Sequence, residues 1–342
     1  MIPMFDGKLL RAVVVIVILV CLQGCYYMQA ARGQLDVMSK REPIDEVIGS
    51  NDTPAGLAER LKLVKDARQF SIDELKLPDN DSYRSYADIE RDYVVWNVFA
   101  APEFSMEPRQ WCFPVAGCVN YRGYFAEDAA RREAAKLQER GFDVAVGGVA
   151  AYSTLGRFSD PVLNTMMRWE EADLIAVLFH ELAHQELYVK GDSGFNESFA
   201  SAVEEFGIQR WLQSRGRIDK LAAYQDRREL RQRLMKLVEL ARDDLANIYS
   251  LDIEVEAMRA RKQERLEQLT TALNLELEAA GHQTPDWLSD GLNNARLASM
   301  LLYDGRLPEF RALLAECNDD IECFYEAARD LAASSRRAAR RQ

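Results

Sequence analysis

The sequence predicts a mainly helical α+β fold. A small sheet packs on one buried, histidine-bearing helix, and a long helical region follows. Three observations carry this. Ala172–Phe179 is mostly apolar and helix-compatible, and it runs directly into His180-Glu181-Leu182-Ala183-His184. Upstream, Tyr93–Ala100 and Asp143–Tyr152 have the β-branched and aromatic content of strands. Downstream, Asp219–Tyr249 and Asp252–Ala280 carry apolar positions such as Leu221, Leu230, Leu234, Leu237, Leu266, Leu269 and Leu273 among many charges, which predicts a helical hairpin.

At the amino terminus, Lys8 and Arg11 precede an apolar run, Ala12–Leu22. Its length, about 11 residues, falls short of the roughly 20 that a spanning helix needs, so it reads as an export signal. It ends in Leu22-Gln23-Gly24-Cys25, which resembles a lipobox. Residues 1–24 are then a lipoprotein signal peptide. Cys25 is the lipidated first residue of the mature chain, which hangs from a membrane by its acyl chains. Tyr26, where some lipoproteins carry Asp, points to the outer membrane of a bacterial envelope by the usual sorting rule.

Met28–Met38 predicts a short helix. Asp52-Thr53-Pro54 predicts a helix start with a capping residue, continued through Leu57, Leu61, Val64 and Ala67. Pro78–Ser82 breaks the chain. Tyr121–Phe125 is a further strand, and Glu127–Arg140 is a helix closed by Gly141. Gly191-Asp192-Ser193-Gly194 reads as a turn, after which Asn196-Glu197 opens a second helix running to Trp211. Gly281–Pro285 is a loop that carries His282. Gly291–Tyr303 is a helix containing Asn293-Asn294, an unfavourable pair in a helix interior unless it caps, satisfies backbone elsewhere or lines a cleft. The arginine-rich run Ser334–Gln342 reads as a frayed end. Cys112 and Cys118 share a spacing with Cys317 and Cys323; in an exported protein this predicts two local disulfides, the alternative being buried free thiols. The chain divides into the signal peptide, a metal-site region over 25–215, and a helical region over 216–342.

The chemistry sits in the histidine motif. Positions i and i+4 share one helix face, so His180 and His184 can grip one ion while Glu181 reaches a water beside it. The chain has only three histidines, and two fall in this spacing. A turn between two helices makes them antiparallel neighbours and can bring Glu197 back beside His184. Catalytic zinc takes three protein ligands and leaves a position open, so His180, His184 and Glu197 fit, with Asp192, Glu204 and Glu205 as alternatives for the third. A net charge of −12 speaks against a general nucleic-acid role, because phosphate binding needs a basic surface.

His180-Glu181-Leu182-Ala183-His184 followed by Asn196-Glu197-Ser198-Phe199-Ala200 resembles the gluzincin metallopeptidases, where Asn-Glu-x-x-Ala or a close variant supplies the third ligand. More closely, the chain resembles the bacterial putative-aminopeptidase lipoprotein family. That resemblance also takes in Trp111-Cys112-Phe113-Pro114, Gly117-Cys118, Tyr121–Phe125 and Asn293-Asn294-Ala295. The gap between His184 and Glu197 is shorter than in the best-known gluzincins, and the Gly-Ala-Met-Glu-Asn stretch that helps hold a substrate amine there is absent. The resemblance implies a zincin-like sheet on the metal helix, a zinc cofactor and a peptide substrate lying along an edge strand, for which Gly147–Tyr152 is the candidate. The alternative for that segment is a solvent-facing strand with a glycine bulge.

The function expected is that of a membrane-anchored zinc peptidase, an aminopeptidase by family, with Glu181 as general base. Tyr152, Tyr188, Tyr303 and Arg296 are candidates to stabilise an oxyanion. The competing readings are a non-catalytic envelope scaffold that keeps the fold, and a zinc amidase acting on cell-wall peptide. An intact Glu181 separates the scaffold from the enzymes, since a structural zinc site has no use for a general base.

Overall fold

The computed structural model describes residues 26–113, 117–151, 153–301 and 306–339. Cys25 and residues 1–24, read above as a signal peptide, lie outside these, as do Tyr152 and Tyr303. Helix α1 spans residues 26–39. It packs closely through Gly33, where a Cβ would come within 2.1 Å of the Phe125 ring. Strand β1 (Arg41–Pro43) and helix α2 (Ile44–Gly49) lead to α3 (Ala55–Asp73). The start of α3 differs from the expectation. Pro54 occupies the cap position without a side-chain bond, and the Thr53 hydroxyl donates to the Val47 carbonyl at 2.6 Å. Thr53 therefore ties α3 back to α2 instead of capping it.

The strands are short: β2 (Ser85–Ala87), β3 (Val95–Pro102), β4 (Trp111–Phe113), β5 (Gly117–Val119) and β6 (Arg122–Tyr124). After α4 (Glu127–Gln138) come β7 (Phe142–Val149) and β8 (Val162–Leu163). The central sheet has the order β6-β3-β7, all antiparallel. Its α4 face buries Val98, Ala100 and Val144 against Ala130, Ala134 and Leu137. The β3–β7 register runs unbroken from Val95↔Val149 to Pro102↔Phe142, so the glycine pair makes no bulge. Gly148 is there for space: a Cβ would come within 2.4 Å of the Tyr93 ring. The β4–β5 hairpin carries Cys112 opposite Cys118, and the two are disulfide-bonded.

The rest is helical: α5 (Glu171–Glu186), α6 (Ser193–Ser214), α7 (Ile218–Tyr249), α8 (Val255–Ala279), α9 (Asp286–Ser289), α10 (Asn294–Leu301), α11 (Leu307–Glu316) and α12 (Ile321–Ala339). The architecture is thus mainly helical α+β with small sheets. Helix α6 starts earlier than expected, because the Asp192 carboxylate accepts from the Phe195 amide at 3.0 Å and makes Ser193 and Gly194 helical. Helix α10 starts later. Asn293 stays outside and accepts from the Arg296 amide at 2.9 Å. Asn294 is fully buried; its amide is shared by the carbonyls of Pro102, Glu103 and Ser105. These two residues dock α10 on the second face of the central sheet, where Ala295 meets Phe99, Ala101 and Ala145. Helices α7 and α8 pair around Val238, Ala241, Leu245, Leu269 and Leu273. Helices α11 and α12 fold back onto α6, placing Phe310 and Phe324 against Phe199, and Cys317–Cys323 ties their junction.

The main core centres on α5 and α6. Leu174, Ile175, Leu178, Phe179 and Leu182 are fully buried, as are Phe195, Phe199, Val203 and Ile208. Gly207 lets the two helices approach: a Cβ there would come to 2.6 Å from Leu75 and 2.8 Å from Phe179. Gly207→Val should therefore overpack this contact and cost about 1–3 kcal/mol. Thermal unfolding read by circular dichroism checks this; an unchanged midpoint would mean that α6 has slack at this position.

Candidate metal centre

Helix α5 presents His180 and His184 one turn apart, both buried, with their rings 4.8 Å from each other centroid to centroid. Helix α6 returns antiparallel and brings Glu197 to them. One Glu197 oxygen lies 3.3 Å from His180 Nε2 and 3.7 Å from His184 Nε2. The return is fixed by Asn196, whose amide donates to the Val189 carbonyl at 2.9 Å and whose oxygen accepts from the Val189 amide at 2.6 Å. Asn196 thus clamps the turn beside the residue that completes the site.

The three donor atoms, two imidazole nitrogens and a carboxylate oxygen, lie within 4.8 Å of one another. This donor set suits zinc. The alternative third ligands are engaged elsewhere. Asp192 caps α6. Glu205 takes both Arg311, at 2.7 and 2.8 Å, and Arg228, at 2.8 Å. Glu204 instead reaches the outer side of His180. Its Oε2 is 3.0 Å from Nδ1, while its Oε1 accepts from the Tyr224 hydroxyl at 3.2 Å. A proton held on Nδ1 by Glu204 leaves the Nε2 lone pair facing the centre, the arrangement that orients metal-binding imidazoles. Nothing in the sequence singled out that role for Glu204.

Burial disfavours charge on His180, but its bonds to Glu197 and Glu204 outweigh this and raise its pKa well above the ordinary 6.5. Burial likewise opposes charge on Glu197, yet the two imidazoles hold it far below the ordinary carboxylate range. Glu181 is raised by burial, against the pull of His184 and His180. Tyr121, at the start of the β6 segment, is raised by burial and by the nearby carboxylates of Glu197 and Glu181, with Tyr188 alongside. Tyr121 is a neighbour of the site that sequence reading placed only in a strand. Tyr188 sits by His184, ring centroids 6.5 Å apart. Arg296 points instead to the Val146 carbonyl on the sheet, and His282 is exposed in its loop.

A cleft of about 960 Å³ opens over His180 and Glu181. One wall is the backbone segment Gly148–Ala151; the other includes Tyr224, Arg228, Gln232 and Met235 of α7. Among the described residues β7 is an edge strand of its sheet, and side chains already occupy part of that edge: Asn293 donates to the Val144 carbonyl, Arg296 to the Val146 carbonyl and Thr165 to the Ala150 carbonyl.

In comparisons with known proteins, the chain matches the family described as "Putative aminopeptidase" over residues 25–342. The chain belongs to this family. No curated protein and no solved structure matches it.

Two expectations test this geometry. In the metal-free protein, the stability contributed by His180 is full below its ordinary 6.5 and is lost as pH rises through the raised value. That from Glu197 is full above its ordinary 4.5 and is lost as pH falls through the depressed value. Chelator-treated protein should therefore hold this contribution between pH 4.5 and 6.5 and lose it on the alkaline side. Unfolding of wild type and His180→Ala across pH reads the difference; a gap that widens above neutrality would contradict it. Separately, Glu204→Ala should weaken zinc binding about 10–100-fold through loss of His180 orientation. Competition with a metal-sensitive dye measures it, and unchanged affinity would show that Glu204 does not position His180.

Proposed function

We propose that the protein is a zinc-dependent peptidase of the bacterial envelope, an aminopeptidase by its family, anchored through a lipid on Cys25 with the outer membrane favoured. The observation that carries the reading is the convergence of His180, His184 and Glu197 beside a buried Glu181, with His180 and Glu181 lining a cleft. His180, His184 and Glu197 would hold zinc. Zinc bound there supplies polarisation of the scissile carbonyl and a lowered pKa of water.

The chain's own groups do the rest. A peptide lies extended along Gly148–Ala151, taking backbone hydrogen bonds from the sheet edge. The carbonyl to be cleaved then sits over His180 and Glu181. Glu181 accepts the proton of the attacking water at a carboxylate oxygen and passes it to the leaving nitrogen. Tyr121 and Tyr188, which neighbour the site, are the candidates to donate to the oxygen that gains charge. Glu204 and Tyr224 keep His180 aligned throughout.

Glu181→Gln keeps size and polarity and removes the basic oxygen. Zinc content and fold should survive while turnover falls by about 10²–10⁴. Glu197→Gln replaces an anionic ligand by a neutral one and should lose zinc. Both are read on one peptide substrate with bound metal measured alongside. Equal zinc loss in the two variants would make Glu181 a structural support. Undiminished turnover in Glu181→Gln would remove the mechanism and favour a non-catalytic scaffold.

A further inference from the structure

The described chain begins at Tyr26, and Tyr26 is already part of the folded body. Its ring lies 5.6 Å from those of Phe113 and Tyr124, with the Arg122 guanidinium 4.0 Å above it. Further along α1, Gln29 accepts from the Phe125 amide at 3.3 Å, Gly33 lies against the Phe125 ring, and Val37 is fully buried. One stripe of the helix is therefore fixed to the protein from its first residue. The opposite stripe holds Tyr27, Met28, Ala31, Arg32 and Leu35, all exposed. Met28 at 70% and Leu35 at 67% are the most exposed large apolar side chains among the described residues.

We propose that this outer face of α1 lies on a lipid surface, so that the body rests on the membrane with a fixed orientation. The proposal rests on the anchoring of the chain at Cys25. Three observations name lipid as the occupant. The chain outside the structure on this side ends at Cys25, the residue read as lipidated. Cys25 is joined directly to Tyr26, so its Cα is about 3.8 Å from a residue packed into the body. No tether exists that would let the body stand away from the bilayer. Met28 and Leu35 are about 10 Å apart along the helix axis at 1.5 Å per residue. Both therefore stay close to the anchor.

The face has the make-up of an interfacial helix. Such helices bury an apolar stripe about 5–10 Å into the headgroup boundary. Tyr27 can keep its hydroxyl in the interface, and Arg32 can extend its charge to the headgroups while its stem stays apolar. No helix among the described residues is long and apolar enough to cross a membrane. The net charge of −12 gives no electrostatic attraction to anionic lipid. The contact is apolar and should persist in high salt.

The test uses the full, processed protein in vesicles of phosphatidylethanolamine and phosphatidylglycerol. Single cysteines replace Met28 or Leu35, and a polarity-sensitive fluorophore is attached. Cys112, Cys118, Cys317 and Cys323 are bonded in pairs and do not compete for label. Leu240→Cys and Leu275→Cys, at exposed positions of the α7–α8 hairpin, are the controls. The proposal expects blue-shifted emission at 28 and 35, quenched several-fold more by a lipid-borne nitroxide than by aqueous iodide, in low and high salt. The controls should show the reverse preference. Protein that floats with the vesicles while labels at 28 and 35 stay water-accessible would overturn the surface contact and leave the anchor standing. Protein that neither floats nor carries an acyl chain on Cys25 would overturn both.

Discussion

The antiparallel return of α6 onto α5 is the constraint on which the site depends. Two histidines on one helix face supply only part of a tetrahedral donor set. The remaining protein ligand must come from another element and must arrive buried. Asn196 fixes the turn through both polar groups of Val189, and Gly207 removes the side chain that would hold the helices apart. Phe179 and Phe199 then pack the apolar sides of the pair. The polar sides are left facing one another, with Glu197 between His180 and His184.

Helix α7 turns that pair into a cleft. It crosses α5 and α6 and is held by separate polar contacts. Arg227 meets Asp173 at 2.9 Å, Tyr224 donates to Glu204 at 3.2 Å, and Arg228 meets Glu205 at 2.8 Å. The same helix runs on into the hairpin with α8, whose Lys262 reaches Asp143 of β7 at 2.7 Å. The wall opposite the sheet edge and the sheet itself are therefore braced by one hairpin. The long charged helices, which in the sequence look like mere solvated surface, set the width of the cleft.

Helix α5 was legible because its signal is local: an apolar run, then an i, i+4 histidine pair. The pairing of Glu197 with the histidines could also be argued, since a short turn forces antiparallel helices. What could not be read depends on contacts distant in sequence. Tyr121 reaches the site from a strand segment far upstream, and Glu204 and Glu205 look identical in the sequence. The capping of α3 and the starts of α6 and α10 differ from expectation for a related reason. Thr53, Asp192 and Asn293 are all cap-type residues. Asp192 and Asn293 bond to amides ahead of them, while the Thr53 hydroxyl is drawn to a carbonyl behind it. Propensity gives the type of residue at a helix end, and tertiary contacts decide which way its side chain turns.

Glu204 and Glu205 also show why the centre is suited to a cation. Glu205 is neutralised by two guanidinium groups, as a largely buried carboxylate requires. One residue earlier in the same helix, Glu204 faces an imidazole and a phenol. Among the described residues, neither it nor Glu197 pairs with lysine or arginine. Glu181 adds a third carboxyl, itself buried. Three carboxyl groups thus surround two imidazoles at a largely buried site. Without a metal, the charge on Glu197 and Glu204 is offset by a proton retained on His180, whose pKa their hydrogen bonds raise against the opposing effect of burial. A divalent cation between the same donors would replace that proton, and its binding should therefore release protons and strengthen as pH rises. The proton held by the metal-free His180 and the donor set offered to a cation are two consequences of one charge arrangement.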